Sequence, residues 1–156
     1  MIVRAATPAD LPRVSVLAAQ LVRQHHALDA QRFFIVDGLE VGYEGFLGGE
    51  LRRRDALVLV AEEGNALLGY AYATLEPRDW NDLLDACGKL NDVFVDPATR
   101  RRGVGRALLE AVRAELRKRG APRMVLMSAW RNPEAHAFFE AAGFRRTMLE
   151  MTLELD

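Results

Sequence analysis

DPATRRRGVGRAL, residues 96–108, sets three consecutive arginines (Arg100, Arg101, Arg102) and two closely spaced glycines (Gly103, Gly105) between a strand-like apolar stretch ending at Val95 and a helix-like one. The helix is read from Leu108, Leu109, Val112 and Leu116 on one face, with Arg106, Glu110, Arg113 and Arg117 largely off it, and from Gly120 and Pro122 beyond its end. A strand that feeds directly into a helix leaves the first helical amides without internal partners, and such an end attracts anions. Gly103 and Gly105 let a phosphate approach the backbone, while Arg100, Arg101, Arg102 and Arg106 surround it with cationic donors. A pyrophosphate is the natural guest. Taken alone, the same residues also suit a tight turn beside a solvated basic patch.

Two phosphate motifs fail here. A P-loop needs Lys and then Ser or Thr after its second glycine, where this chain has Arg106 and Ala107. The dinucleotide fingerprint needs a third small residue at 108, which is Leu108, and an early place in a strand–helix–strand unit.

Outward from the loop, MIVRAA reads as a strand, and TPAD opens a helix with Thr7 as N-cap, Pro8 at its first position and Asp10 near its positive end. Leu11, Val14, Leu17, Ala18 and Leu21 then mark one apolar face. LEVGYEGFLGGELRRR is a second helix weakened by Gly42, Gly45, Gly48 and Gly49. Two β-rich runs around Glu63, Gly64 and Asn65 form a hairpin. KLNDVFVD is a strand, RMVLMSAW a strand covered on both faces, NPEAHAFFEAAG a helix capped by Asn132, and FRRTMLEMTLEL a final strand. The expected fold is α/β: one mixed, mostly antiparallel sheet with helices on both faces, in a single domain over residues 1–156.

Composition bounds the function. The 21 basic and 22 acidic side chains leave a formal charge of −1, which gives no global pull toward nucleic acid or an acidic membrane. A nucleic-acid domain built on RRRGVGR would want a broad basic face. Cys87 is the single cysteine, and no apolar run is long enough to span a bilayer or serve as a signal peptide, so a cytoplasmic protein is expected.

With its strand before and RALLEAV after, the RxxGxG loop resembles the acyl-CoA pyrophosphate loop of the GNAT superfamily of N-acyltransferases. NPEAHAFFEAAGF resembles that superfamily's later motif, an Asn before a helix that ends in an aromatic pair, a Glu and Gly-Phe. The resemblance implies central strands that splay apart at a bulge, with the pantetheine arm of acetyl-CoA in the gap beside Phe94 and Val95. It implies that the amides from Arg101 through Gly103, Val104 and Gly105 to Arg106 hold the pyrophosphate. Asn132 would meet the arm, and Phe138 and Phe139 would line the thioester end. No metal is implied. The activity implied is transfer of an acetyl group to an amine by direct attack in a ternary complex.

That transfer needs a neutral amine, a stabilised oxyanion and a proton for the departing thiolate. Asp92 is the candidate base. Strict alternation puts it on the face of Leu90 and Phe94, though a bulge would change the phase and Asn91 could then face the site. Asp92 equally suits a cap or an ion pair. The oxyanion donor implied by the resemblance is the amide of Val93 or Phe94. Many relatives carry Tyr where this chain has Phe139, which has no proton to give; Ser128, Tyr70, Tyr72 or water remain as donors. Phe139 favours a non-catalytic acyl-CoA sensor, Asp92 an enzyme.

His25 and His26 are adjacent and diverge on a helix, His136 reads as exposed, and Cys87 has no evident base. Trp80 and Trp130 suit either an acceptor wall or a core. Asp29, Asp37, Glu40, Glu44, Asp79, Asp82 and Asp85 would steer a cationic acceptor or simply keep the surface soluble. A small primary amine is the first acceptor, a protein N-terminus or lysine the second. The edge of the final strand invites a homodimer, although its charges could also protect that edge.

Overall fold

The computed structural model describes residues 1–156. Strand β1 (Ile2–Ala5) leads to helices α1 (Leu11–Leu28) and α2 (Leu39–Glu50), then to strands β2 (Ala56–Glu63), β3 (Ala66–Glu76) and β4 (Cys87–Val95). Helix α3 (Val104–Lys118), strand β5 (Met124–Leu126) and helix α4 (Pro133–Ala141) follow. The five strands form one open sheet in chain order. Every pairing is antiparallel except that of β4 with β5.

The entry to α1 is clamped. Thr7 N–H donates to Asp10 Oδ2 at 2.7 Å, and the Arg4 guanidinium donates to both Asp10 oxygens at 2.8 and 3.0 Å. These bonds, Arg4's first, hold the Asp10 carboxyl down at about 2. The apolar stripe Leu11, Val14, Leu17 and Ala18 then packs with Leu47 of α2 over Val58, Val60, Tyr70, Tyr72 and Phe94. Helix α2 forms despite its four glycines because packing outweighs propensity. On the other face, Val104, Leu108, Leu109, Val112 and Leu116 of α3 cover Leu57, Leu59, Ala61, Ala71, Ala73 and Leu90. Strands β2 and β3 are buried on both faces, which is why they read as nearly continuous apolar runs.

Two expectations fail at the β5 end. Of residues 123–130 only Met124–Leu126 form a strand, and that strand is half-buried, with Met127 and Trp130 exposed. Nothing pairs with its outer edge. The final strand is not formed either: residues 145–156 run without regular structure. Their alternation is that of a strand, but their backbone makes no hydrogen bond with any strand of this chain.

Candidate active site

Strand β4 changes partners along its length. Gly88, Lys89 and Leu90 pair with both β3 and β5, whereas from Asn91 to Val95 only β3 is paired. The ladder to β3 shifts at the same point: Ala73 faces Leu90 and Tyr72 faces Asp92, leaving Asn91 as an extra, bulged residue. The bulge decides which face carries the chemistry. Leu90, Val93 and Val95 pack toward α3, while Phe94 lies in the α1–α2 cluster, so Asp92 shares a face with Phe94 and not with Leu90. Asn91 lies on that face too, farther from the gap, and donates to Thr74 Oγ1 at 3.0 Å, Thr74 alternating with Tyr70 and Tyr72 along β3. Asp96 N–H donates to the Leu68 carbonyl at 2.8 Å. Alternation from that bond turns the Phe94 amide toward β3 and the amides of Val93 and Val95 into the gap beside β5.

At the C-terminal end of this gap lies the arginine–glycine loop. Asp96 ion-pairs with Arg13 and accepts the Ala98 amide at 2.9 Å, which fixes a 3-10 turn at Pro97–Thr99. Arg101 (φ 63°) and Gly103 (φ 78°) then take left-handed backbone, and Gly103 is the N-cap of α3. The loop cations are not equivalent. Arg102 ion-pairs with Glu63 of the hairpin, so its guanidinium is engaged elsewhere. Arg100 lies over the Phe94 ring at 5.7 Å. Arg100, Arg101 and Arg106 have no carboxylate within ion-pairing distance. Val104 is buried beneath the loop, and Gly105 sits where a Cβ would lie 3.5 Å from Phe138 and Val95. Free amides at the start of α3, guanidiniums without carboxylate partners and an unpaired strand edge at the same end of β4 fit an extended pyrophosphate-bearing ligand, although Arg100 also donates to Gln24 of α1 at 3.5 Å.

Across β4, side chains take over. Tyr70 Oη donates to Asp92 Oδ2 at 3.0 Å. Burial pushes the half-buried Asp92 carboxyl above the usual carboxylate range, and the Tyr70 hydrogen bond and His25 only partly oppose it. Helix α2 supplies what the sequence alone did not single out. Tyr43, Phe46, Leu47 and Glu50 recur at helical spacing on its sheet-facing side, a signal present in LEVGYEGFLGGE. Glu50 is buried, accepts the Tyr72 hydroxyl, and is paired with Arg53 at 2.9 Å. Phe46 meets the Tyr72 ring edge-on at 5.7 Å. Burial raises the Tyr70 and Tyr43 phenols, with Asp92 adding to both, and raises Tyr72 with help from Glu50. Both hydroxyls already donate to carboxylates, Tyr70 to Asp92 and Tyr72 to Glu50, which leaves neither proton directed at the gap.

The later motif is structural in what it shows. Asn132 Oδ1 accepts the Ala135 amide at 3.2 Å and caps α4. Phe138 and Phe139 pack on the α3-side core, and Phe139 meets Phe144 at 5.7 Å. His136 is not the exposed residue expected, since its Nε2 lies 2.8 Å from the Ala129 carbonyl. His25 Nδ1 and His26 Nδ1 lie 2.8 Å from the carbonyls of Leu21 and Phe33. Cys87 is buried, Ser128 exposed, and Trp80 and Trp130 stand in solvent. Of the peripheral acids, Asp29, Glu40 and Asp85 are paired with Arg131, Arg23 and Arg78.

The family model for the acetyltransferase (GNAT) family matches residues 20–144. The uncharacterized N-acetyltransferase YhfO of Bacillus subtilis (strain 168) is 30% identical over 103 residues, 66% of this chain and 68% of its own. Among solved structures, a tetramutant of BH1408 from Bacillus halodurans gives a TM-score of 0.87 at 22% identity, covering 99% of this chain and 100% of that one. The aminoglycoside N-acetyltransferase AAC(6')-Iy, in complex with CoA, gives 0.80 at 20% identity over 99% of this chain and 93% of that one. These two likenesses speak to the fold. The family match is broader in consequence: it runs from within α1 to Phe144, across every element that borders the gap, and by it the chain belongs to the GNAT family of acetyl-CoA-dependent N-acetyltransferases.

Proposed function

We propose that the chain acetylates a primary amine of a small molecule, by direct attack on acetyl-CoA in a ternary complex. The observation that carries this is the position of Asp92, a desolvated carboxylate at the mouth of the gap, next to the inward amide of Val93. Asp92 takes the ammonium proton, directly or through one water, and the raised affinity of its carboxylate for protons suits that task. The Val93 amide faces the developing oxyanion. Arg100, Arg101 and Arg106 and the amides from Arg101 to Arg106 hold the pyrophosphate, the Val95 edge pairs with the pantetheine arm, and Phe138 and Phe139 border it. The free Nδ2 of Asn132 faces the arm while Oδ1 caps α4. The thiolate, from a thiol of pKa about 8.5, leaves without a dedicated acid and takes its proton from water.

The acceptor side favours a compact cation. Glu50 and Asp92 are two carboxylates set among Tyr43, Phe46, Tyr70 and Tyr72, where an ammonium meets both charge and aromatic faces. The setting proposed is cytoplasmic, and the acting form a homodimer. Free-thiol release from acetyl-CoA with a panel of small amines and basic peptides tests the activity. Release stimulated by small amines, and much less by peptides, is expected. Binding of acetyl-CoA seen by calorimetry with no release for any amine would overturn the proposal and leave an acyl-CoA sensor; preference for peptides would move the acceptor to a protein.

A further inference from the structure

Helix α1 crosses the gap. Near its start Arg13 ion-pairs with Asp96 at the end of β4, and just past its end Asp29 pairs with Arg131, beyond β5, at 3.6 Å. Between these two ties, Arg13, Leu17, Gln20 and Gln24 fall on one stripe of the helix. That stripe meets β4 where β5 no longer pairs with it. Leu17 packs in the cluster that holds Phe94, and Gln24 Oε1 accepts from Arg100, whose guanidinium lies over the Phe94 ring, at 3.5 Å. Gln20 sits between Leu17 and Gln24. Its Oε1 is buried and has no hydrogen-bond partner, the one side-chain atom of the protein in that state. A carbonyl oxygen shut away from water without a donor costs the fold stability, and a ligand N–H removes that cost.

The gap selects the N–H. The amides of Val93 and Val95 turn into it, so whatever lies there must bring acceptors to β4. A trans amide holds its C=O and N–H on opposite sides. A ligand carbonyl that takes the Val95 amide therefore turns its N–H away from β4, toward the side that α1 spans. Strand β5 ends at Leu126, opposite Leu90, and offers no row of carbonyls across from Val95. We infer that Gln20 Oε1 accepts an amide N–H of the pantetheine arm, which is then held by β4 backbone on one side and by α1 on the other. This rests on the acetyl-CoA site proposed above, and it adds a contact that neither the loop nor β4 supplies. It also makes the site sensitive to the arm itself, since a nucleotide with the pyrophosphate and no amide leaves Gln20 unpaired.

Gln20→Met keeps the length of the side chain and removes the acceptor. By calorimetry its affinity for acetyl-CoA should fall about five- to tenfold, the scale of one hydrogen bond. The phosphorylated ADP portion of CoA, which carries the pyrophosphate and no arm, should bind it as it binds the wild type. Gln20→Glu, with an acceptor oxygen at the same reach, should restore most of the affinity for acetyl-CoA. Without ligand, Gln20→Met should melt no lower than the wild type, because the oxygen it removes has no partner; a side chain that only held the fold together would show the reverse. Undiminished acetyl-CoA affinity in Gln20→Met would overturn the inference, as would an equal loss for the armless nucleotide. A raised KM for the amine with acetyl-CoA affinity intact would overturn it too, and would assign Gln20 to the acceptor. The transfer reaction fails separately: a wild type that binds acetyl-CoA and releases no thiol with any amine loses the proposed activity and keeps this contact. A wild type that does not bind acetyl-CoA would overturn both.

Discussion

On the α3 side of β4 the site is made of backbone: loop amides around Gly103, the Val93 and Val95 edge, and guanidiniums that reach in from an exposed turn. On the α1–α2 side it is made of side chains: Tyr43 and Glu50 from a helix, Tyr70 and Tyr72 from β3, Asp92 from β4. In the function proposed above, the backbone side recognises what every donor molecule shares, a pyrophosphate and an amide-bearing arm. The side-chain side, which changes with each substitution, is where that proposal has the acceptor chosen. The two can be separated by mutation.

Asp92→Asn should give the largest effect, a fall in kcat of about 10²–10⁴ with acetyl-CoA affinity unchanged, read by thiol release and calorimetry. In the wild type, kcat/KM should fall as the pH drops through an Asp92 pKa that burial has raised, so the acid limb lies above the ordinary carboxylate range. The sign for stability is opposite. A carboxyl whose folded pKa is raised stabilises the fold in acid and loses that contribution as pH rises through the folded value. Asp92→Asn should therefore melt higher than the wild type at neutral pH, and a lower melting temperature would mean that Asp92 is a structural anchor.

Glu50→Gln should raise the acceptor KM by about tenfold, the scale of one charged hydrogen bond, and leave the KM for acetyl-CoA unmoved. A parallel rise in both would erase the division between the two sides. On the backbone side, Gly103→Ala forces a Cβ into left-handed backbone at a cost of about 1 kcal/mol, visible as a lower denaturation midpoint, and weakens acetyl-CoA without touching acceptor preference. The smallest effect, and in the other direction, is Gly45→Ala. That position is helical with open space around it, and α2 should gain about 0.5–1 kcal/mol. A loss there would mean that α2 must flex to admit the acceptor.

The same division explains what could be read before the fold was known. The loop and the strand that carries Asp92 are contiguous residues whose pattern states its own chemistry. Glu50 and Tyr72 are 22 residues apart and meet only because α2 packs over β3. Arg102 looked like its neighbouring arginines until Glu63, 39 residues away, claimed it. The alternation from Met148 to Leu155 was legible too, but a pattern states that a strand wants an edge and not whose edge it is.

The bulge at Asn91 separates two properties that the site otherwise shows together. Removing that one residue would let Tyr72 follow Ala73 in unbroken register, opposite Asp92 and Leu90, so Asp92 would still face Tyr70 and Glu50's side of the sheet. What would go is the bend that parts β4 from β5 at Leu90. Such a chain keeps its base and loses its slot. No substitution does the same, because the geometry depends on how many residues the strand has and not on which ones.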